Sequence, residues 1–378
     1  MANNPALTQE AIGARIAGAR DDAGFTQAEL GGRIGLDRTA VAKIETGSRK
    51  VSATELVALA EALERPIDWF FVESPESVVS RRTDPSVGGV SRSLDLKIES
   101  LARDIEALES DGILPGATES LLLAPPDDLE GAEQAARRVR ARLDVGDGPL
   151  LELQRHVEDL GLLAFSLDLG RAGNDAAYVA LDSAGVALIN GSVDPGRRRF
   201  NLAHELGHHV FQDAYAAEVV VTSRTGGIEQ LINAFAVHLL MPRSAIASLW
   251  SEMGTDDPRL RFKRRQLVIG GRFRASWSAV CSQLRNLDLV DDGLRTALMS
   301  SPPTRADYLE LGESWVEELI APAIPPRYGQ RVLAAYRAGK LTADRTLDLL
   351  HGTASREELP ERAPIPVEAL RREFDPLQ

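Results

Sequence analysis

One segment fixes its own local fold more tightly than any other in the chain: Arg199-Phe-Asn-Leu-Ala-His-Glu-Leu-Gly-His-His-Val-Phe211, which contains the pattern H-E-x-x-H. On a helix, His204 and His208 stand on one face about one turn apart, where two imidazoles can reach one metal ion. Glu205, beside the first histidine, can then take a proton from a water at that metal, the general-base role of this motif. Gly207 argues against a helix, since glycine costs about 1 kcal/mol relative to alanine in a helix interior. The flanks argue for one. Phe200, Ala203, Leu206 or Gly207, and Val210 recur at helical spacing, and a glycine on that apolar face allows close packing beneath the metal.

A catalytic zinc keeps three protein ligands and an open position, so two histidines need a third donor. The segment Gly227-Ile-Glu-Gln-Leu-Ile-Asn-Ala-Phe-Ala-Val-His-Leu-Leu-Met-Pro242 offers Glu229 and Asn233 one turn apart, with Ile232, Phe235, Ala236 and Leu239 as its buried side. Taken alone, Glu229 is more often a solvated carboxylate at a helix start. Together, however, Arg197 to Phe211, Glu229, and Asn-Ala-Phe-Ala ahead of Leu-Leu-Met-Pro242 resemble the ImmA/IrrE family of metallopeptidases. The resemblance extends over residues 130–290, taking in the strand-like Gly185–Asn190 and the stretch Phe273–Arg285, where Ala275-Ser276 stands for the family's Val-Ser. It implies His204, His208 and Glu229 as metal ligands and Glu205 as the catalytic residue. It also implies a zinc cofactor, with Mn2+ or Fe2+ suited to the same donors, and a protein substrate, a repressor of a stress-response or mobile-element operon.

Residues 8–73 show helical periodicity cut by turn signals at Gly24, Gly35, Gly47 to Lys50 and Arg65-Pro66, which predicts five short helices. Thr26 is a good N-cap, and Glu29 completes a capping box. A tight turn at Gly35-Leu-Asp37 leads to Arg38-Thr-Ala-Val-Ala-Lys-Ile-Glu45, with Val41 and Ile44 facing inward; two short helices joined this way are the helix-turn-helix signature. Thr26–Leu30 through Ile44–Gly47 resembles the XRE helix-turn-helix family, which implies Arg38, Thr39, Ala40 and Lys43 in the major groove and Gln27, Ser48 and Arg49 on phosphates of operator DNA. Residues 1–73 carry eight Lys and Arg against eleven Asp and Glu, a net of −3. Residues 33–50 reverse this with five basic and two acidic residues, net +3, where the contact is expected. Glu45 reads as structural, pairing with Arg20.

The chain's net charge of −13 excludes non-specific wrapping of nucleic acid by the whole molecule, so any DNA contact is local. No apolar run of membrane-spanning length and no charged-then-apolar leader is present, so no membrane partner and a cytoplasmic location are expected. The single cysteine, Cys281, excludes an internal disulfide and a cysteine-based zinc site, and reads as a small buried residue.

Ser74 to Ser93, rich in Ser, Pro, Gly and charge, reads as a flexible linker. Leu94, Ile98, Leu101, Ile105 and Leu108 then follow the spacing of a coiled-coil seam, which suits either a homodimer or packing on the chain's own domain. The cluster Arg259, Arg261, Lys263, Arg264, Arg265, Arg272 and Arg274 is read first as a solvated face and second as an attractor for acidic partners. His209 and His238 are unneeded as ligands; either could stabilise an oxyanion. Tyr328 to Leu350 reads as two helices split at Gly339, with Thr342 as N-cap and a loose terminus beyond residue 355.

The expected architecture is an α+β multidomain chain. An all-α five-helix helix-turn-helix domain spans 1–73, a linker and dimerisation helix 74–112, a zincin-like mainly helical domain with a small β-sheet 113–300, and a helical C-terminal region 301–378. The expected function is a DNA-binding regulator with zinc-dependent endopeptidase activity. Two alternatives stay open: a peptidase-like domain that senses or binds a partner without turnover, and a regulator that cleaves its own linker.

Overall fold

Side-chain caps set the helices of the first unit. Thr8, Thr26, Asp37 and Ser52 are each extended, and each accepts the backbone N–H three residues on, starting α1 (Gln9–Asp22), α2 (Gln27–Ile34), α3 (Arg38–Glu45) and α4 (Ala53–Ala62). The Thr26–Glu29 capping box forms, and Gly35 at φ 73° ends α2 in the left-handed conformation that lets α3 begin three residues later. The fifth expected helix is a single 3-10 turn, Ile67–Phe70. Ile16, Leu30, Val41, Ile44, Leu59 and Phe70 are buried together as the core of this unit. Glu45 accepts from Arg20 at 2.6 Å, as the sequence suggested, and from Gln27 at 2.8 Å.

This computed structural model describes residues 8–63, 65, 67–71, 79–82, 92–115, 121–170, 175–211, 225–253, 258–312 and 317–362. The chain divides into two units, Met1–Glu76 and Ser77–Gln378. The second contains α5 (Arg92–Ser110), α6 (Leu129–Arg142), α7 (Leu153–Glu158), α8 (Pro195–Val210), α9 (Thr225–Leu240), α10 (Arg243–Glu252), α11 (Pro258–Phe273), α12 (Trp277–Asn286), α13 (Asp292–Met299), α14 (Arg305–Glu310), α15 (Pro326–Arg337) and α16 (Ala343–Leu349). Its sheet has four strands, β1 (Val79–Arg82), β2 (Leu162–Leu167), β3 (Ala176–Ala180) and β4 (Gly185–Asn190), in the order β1-β3-β4-β2. The β2–β4 pair is parallel; β3 runs antiparallel to both β4 and β1.

Alternation along the strands divides two cores. Leu162, Ala164, Ala176, Tyr178, Ala187 and Ile189 face the layer of α6, α8 and α9. Phe165, Ala177, Val179, Val186 and Leu188 face α5, α15 and α16. A strand buried on both faces needs apolar side chains at successive positions, which is why β4 reads Gly-Val-Ala-Leu-Ile.

Three expectations change here. The seam Leu94, Ile98, Leu101, Ile105 and Leu108 is at most 2% exposed, buried against the sheet and the last two helices, so it is not a free dimerisation surface. Two heptads carry the same apolar stripe whether the partner is another helix or a sheet. The C-terminal helices belong to that same core, so residues 77–378 form one unit and the expected divisions near residues 112 and 300 separate nothing compact. Finally, Val79–Arg82 within the expected linker is a strand paired with β3; residues 72–78 and 83–91 lie outside the described residues, as does the expected loose end over 363–378.

The basic cluster disperses. Arg265 is buried with its guanidinium 4.8 Å from the Trp250 ring centre, Lys263 pairs with Asp307 at 3.4 Å, and Arg274 pairs with Glu318. The side chains of Arg259 and Arg261 are outside the described set. Cys281 is buried. Among the described residues, no single helix is long and apolar enough to cross a membrane.

Candidate metal centre

Proline at its first turn starts α8, and the helix is then buried along nearly its whole length between the sheet and α9. Gly207 sets how closely α9 approaches. A methyl there would meet Ile232 Cγ2 at 2.8 Å and Phe235 Cδ1 at 3.2 Å, so α9 packs at this distance only against a glycine. That approach brings Glu229 over the two histidines.

The donors converge. His204 Nε2 and His208 Nε2 are 3.1 Å apart, His204 Nε2 is 3.3 Å from Glu229 Oε2, and His208 Nε2 is 3.6 Å from Glu229 Oε1. Ligands bound at 2.0–2.2 Å to a tetrahedral metal lie about 3.3–3.6 Å from one another, so the three separations match the edges of such a tetrahedron within a few tenths of an ångström. The donor set, two imidazole nitrogens and one carboxylate, therefore fits a divalent transition metal. Glu205 is fully buried, one residue from His204.

Supporting contacts orient the ligands. His204 Nδ1 lies 3.2 Å from Asn233 Oδ1; donation of the Nδ1 proton to that oxygen leaves the Nε2 lone pair for a metal. The Tyr178 ring stacks on His208 at 6.4 Å with an interplanar angle of 16°. The Tyr178 hydroxyl is 3.2 Å from His209 Nδ1, and His209 Nε2 is 3.0 Å from the Leu160 carbonyl. A carbonyl only accepts, so Nε2 carries the imidazole proton and Nδ1 accepts from the tyrosine. Burial holds His209 below the ordinary histidine pKa, and burial with the nearby Glu205 charge pushes the Tyr178 hydroxyl up, so both stay neutral. His209 is thus tied into the wall. His238 is also buried, with its pKa lowered by burial and Nδ1 3.3 Å from Gln283 Nε2.

Beside the centre runs an open groove of about 1250 Å3 between α6, α9, α12 and the start of α8. Asn233 and Phe200 line its inner end. Its charges are balanced: Glu130, Glu133 and Asp194 against Arg137, Arg197 and Arg243. Most are already paired, Arg137 with Glu133 at 2.6 Å and Arg197 with Asp175 at 2.5 Å.

In the first unit, Arg38, Thr39, Lys43 and Ser48 are exposed, the first three on α3. Ala40 is half-buried with its N–H capped by Asp37 at 2.7 Å. Gln27 and Arg49 are already engaged, with Glu45 and with Glu55 at 2.6 Å, so four of the seven expected DNA-contact residues are exposed and these two are tied inward.

Sequence reasoning missed Tyr178, the support role of Asn233, and the anchor of α8. In that anchor Arg199 pairs with Glu318 and donates to the Leu150 carbonyl at 2.5 Å, while Arg198 donates to Gly191 O at 2.9 Å and pairs with Glu317 at 3.0 Å. A tyrosine alone in Ala-Ala-Tyr-Val-Ala180 was the only local signal for the first. The anchor's two carboxylate partners, each 119 residues away, left none for the last.

This combination of fold and site defines a regulator built from a helix-turn-helix unit and a protease-like domain that carries a His-His-Glu cluster. Residues 16–70 match the helix-turn-helix family model, and residues 157–285 match the model of the IrrE N-terminal-like domain, a peptidase family. The chain is a fusion of these two domains. No curated protein gives a significant match to it.

Proposed function

We propose that the chain is a DNA-binding transcriptional regulator with metal-dependent endopeptidase activity, acting in the cytoplasm on a repressor protein of a stress-response or mobile-element operon. The reading rests on one observation above others: three donors at tetrahedral spacing, with a buried carboxylate on the neighbouring residue. His204, His208 and Glu229 would hold the metal, zinc first among candidates. When bound, it supplies Lewis-acid polarisation of the scissile carbonyl and lowers the pKa of water at the site. Glu205 takes the proton of the attacking water on its carboxylate and returns it to the leaving amine. Asn233 and Tyr178 keep the two imidazoles oriented. The balanced polar groove suits a polypeptide better than a polyanion. The fused helix-turn-helix, through Arg38 and Lys43, raises the local concentration of the peptidase beside an operator-bound substrate.

The test is cleavage of candidate repressors by parent and Glu205→Gln proteins at matched metal content. Glu205→Gln should keep its metal and lose roughly 10²- to 10⁴-fold in rate; equal rates would refute the assignment.

A further inference from the structure

The strand β1 occupies a place its sequence did not announce. Its residues pair antiparallel with β3 in the register Val79↔Val179, Ser80↔Tyr178, Arg81↔Ala177 and Arg82↔Ala176. The other edge of β3 is taken by β4, so among the described residues β1 closes the outer edge. The strand is four residues long, so few backbone hydrogen bonds hold it to β3. At the opposite end of the sheet, β2 is closed differently, by Ala323 bonding both ways with Ser166 at 2.8 Å.

The edge that β1 covers is the one beside the metal centre. Ser80 lies directly opposite Tyr178, whose ring stacks on His208, and β1 also lies against α8. An open strand edge offers a row of unpaired N–H and C=O groups, which bind an extended peptide by strand addition. Without β1, β3 would present such a row alongside His204 and His208.

We propose that the outer edge of β3 is the binding site for an extended segment of the polypeptide substrate, and that Val79–Arg82 fills it from within the same chain. This deepens, and rests on, the peptidase reading. A tethered strand acts at an effective concentration in the millimolar range. If the β1 sequence has an intrinsic dissociation constant of about 100 μM for this edge, any external segment is held off about tenfold until β1 leaves.

The probe is a fluorescein-labelled peptide of residues 77–84, Ser-Val-Val-Ser-Arg-Arg-Thr-Asp, with binding read by anisotropy on full-length proteins carrying Glu205→Gln to prevent turnover. One protein adds S80P and R81P, which remove strand N–H donors at two successive positions; a second adds V79G, S80G, R81G and R82G, which weaken the strand without proline. Binding at least tenfold tighter than to the Glu205→Gln parent is expected, along with faster hydrogen exchange at 176–180 that the peptide reverses. Affinity within twofold of that parent in the folded variants would overturn the proposal; should the proline variant fail to fold, the glycine variant decides. With Co2+ loaded, peptide binding should change the visible cobalt absorption of the opened variants, and a bound peptide that leaves it unchanged would overturn the placement beside the metal. No readout uses turnover, so an edge that binds the peptide in a chain that cleaves nothing isolates failure to the peptidase reading.

Discussion

Gly207→Ala tests whether helix contact sets the metal site. The added methyl would lie 2.8 Å from Ile232 Cγ2 and 3.2 Å from Phe235 Cδ1, against about 3.5 Å or more for an ordinary carbon contact. The α9 helix must withdraw by about 0.7 Å or more, and Glu229, one turn from Ile232, moves with it. The His204–Glu229 separation then opens from 3.3 Å to about 4 Å, beyond the tetrahedral edge. Folding loses up to about 2 kcal/mol, since about 1 kcal/mol of helix propensity offsets part of an overpacking cost of about 1–3 kcal/mol. Metal affinity should fall about 10- to 100-fold, the scale of other changes that misplace a ligand. Competition with a chromogenic chelator measures the affinity, and thermal unfolding of the metal-free protein controls for stability. In a Gly207→Ala background, Ile232→Ala should recover part of the lost affinity while lowering stability further. Metal affinity within twofold of the parent in Gly207→Ala would refute the reasoning.

Asn233→Ala removes the acceptor for His204 Nδ1 and should weaken metal binding about 10- to 100-fold with little change in the urea midpoint, as read by metal titration and urea unfolding. Arg199→Ala empties a fully buried site and leaves the half-buried Glu318 with Arg274 as its remaining cation, which should cost about 3 kcal/mol in urea unfolding, whereas Arg199→Met, which refills the space, should cost less. Burial lowers the pKa of His351, so the unfolded chain binds more protons there; its contribution to stability is complete above pH 6.5 and declines as pH falls below that value. Unfolding midpoints against pH should show a shallower acid decline in His351→Asn, a residue that tolerates the φ of 49° at this position.

Much of the site was legible because its signals are local. The spacing of His204 and His208 places both on one face of a helix whatever surrounds it, and the apolar period of Ile232, Phe235, Ala236 and Leu239 leaves Glu229 and Asn233 on the other edge. The capping box at Thr26, the turn at Gly35 and the strand Gly185–Asn190 were readable for the same reason. Other features were not. The stripe from Leu94 to Leu108 states that a face is buried and not what covers it. Tyr178 carries no mark that its ring will meet His208, and the short run Val79–Arg82 lacks the apolar alternation that announces a strand, because its pairing comes from the β3 backbone.

The sequence by itself determined the chemistry on offer, two imidazoles, a neighbouring carboxylate and a helix-turn-helix with its charge in place, since these depend on residue identity and on the fixed periods of helix and strand. Only the tertiary structure decided that Glu229 reaches both histidines across Gly207, that the seam of α5 lies on the sheet, and that a piece of the linker closes the edge of β3. Each of those depends on contacts between segments distant in the chain, where backbone hydrogen bonding and close packing, rather than local propensity, select the partner.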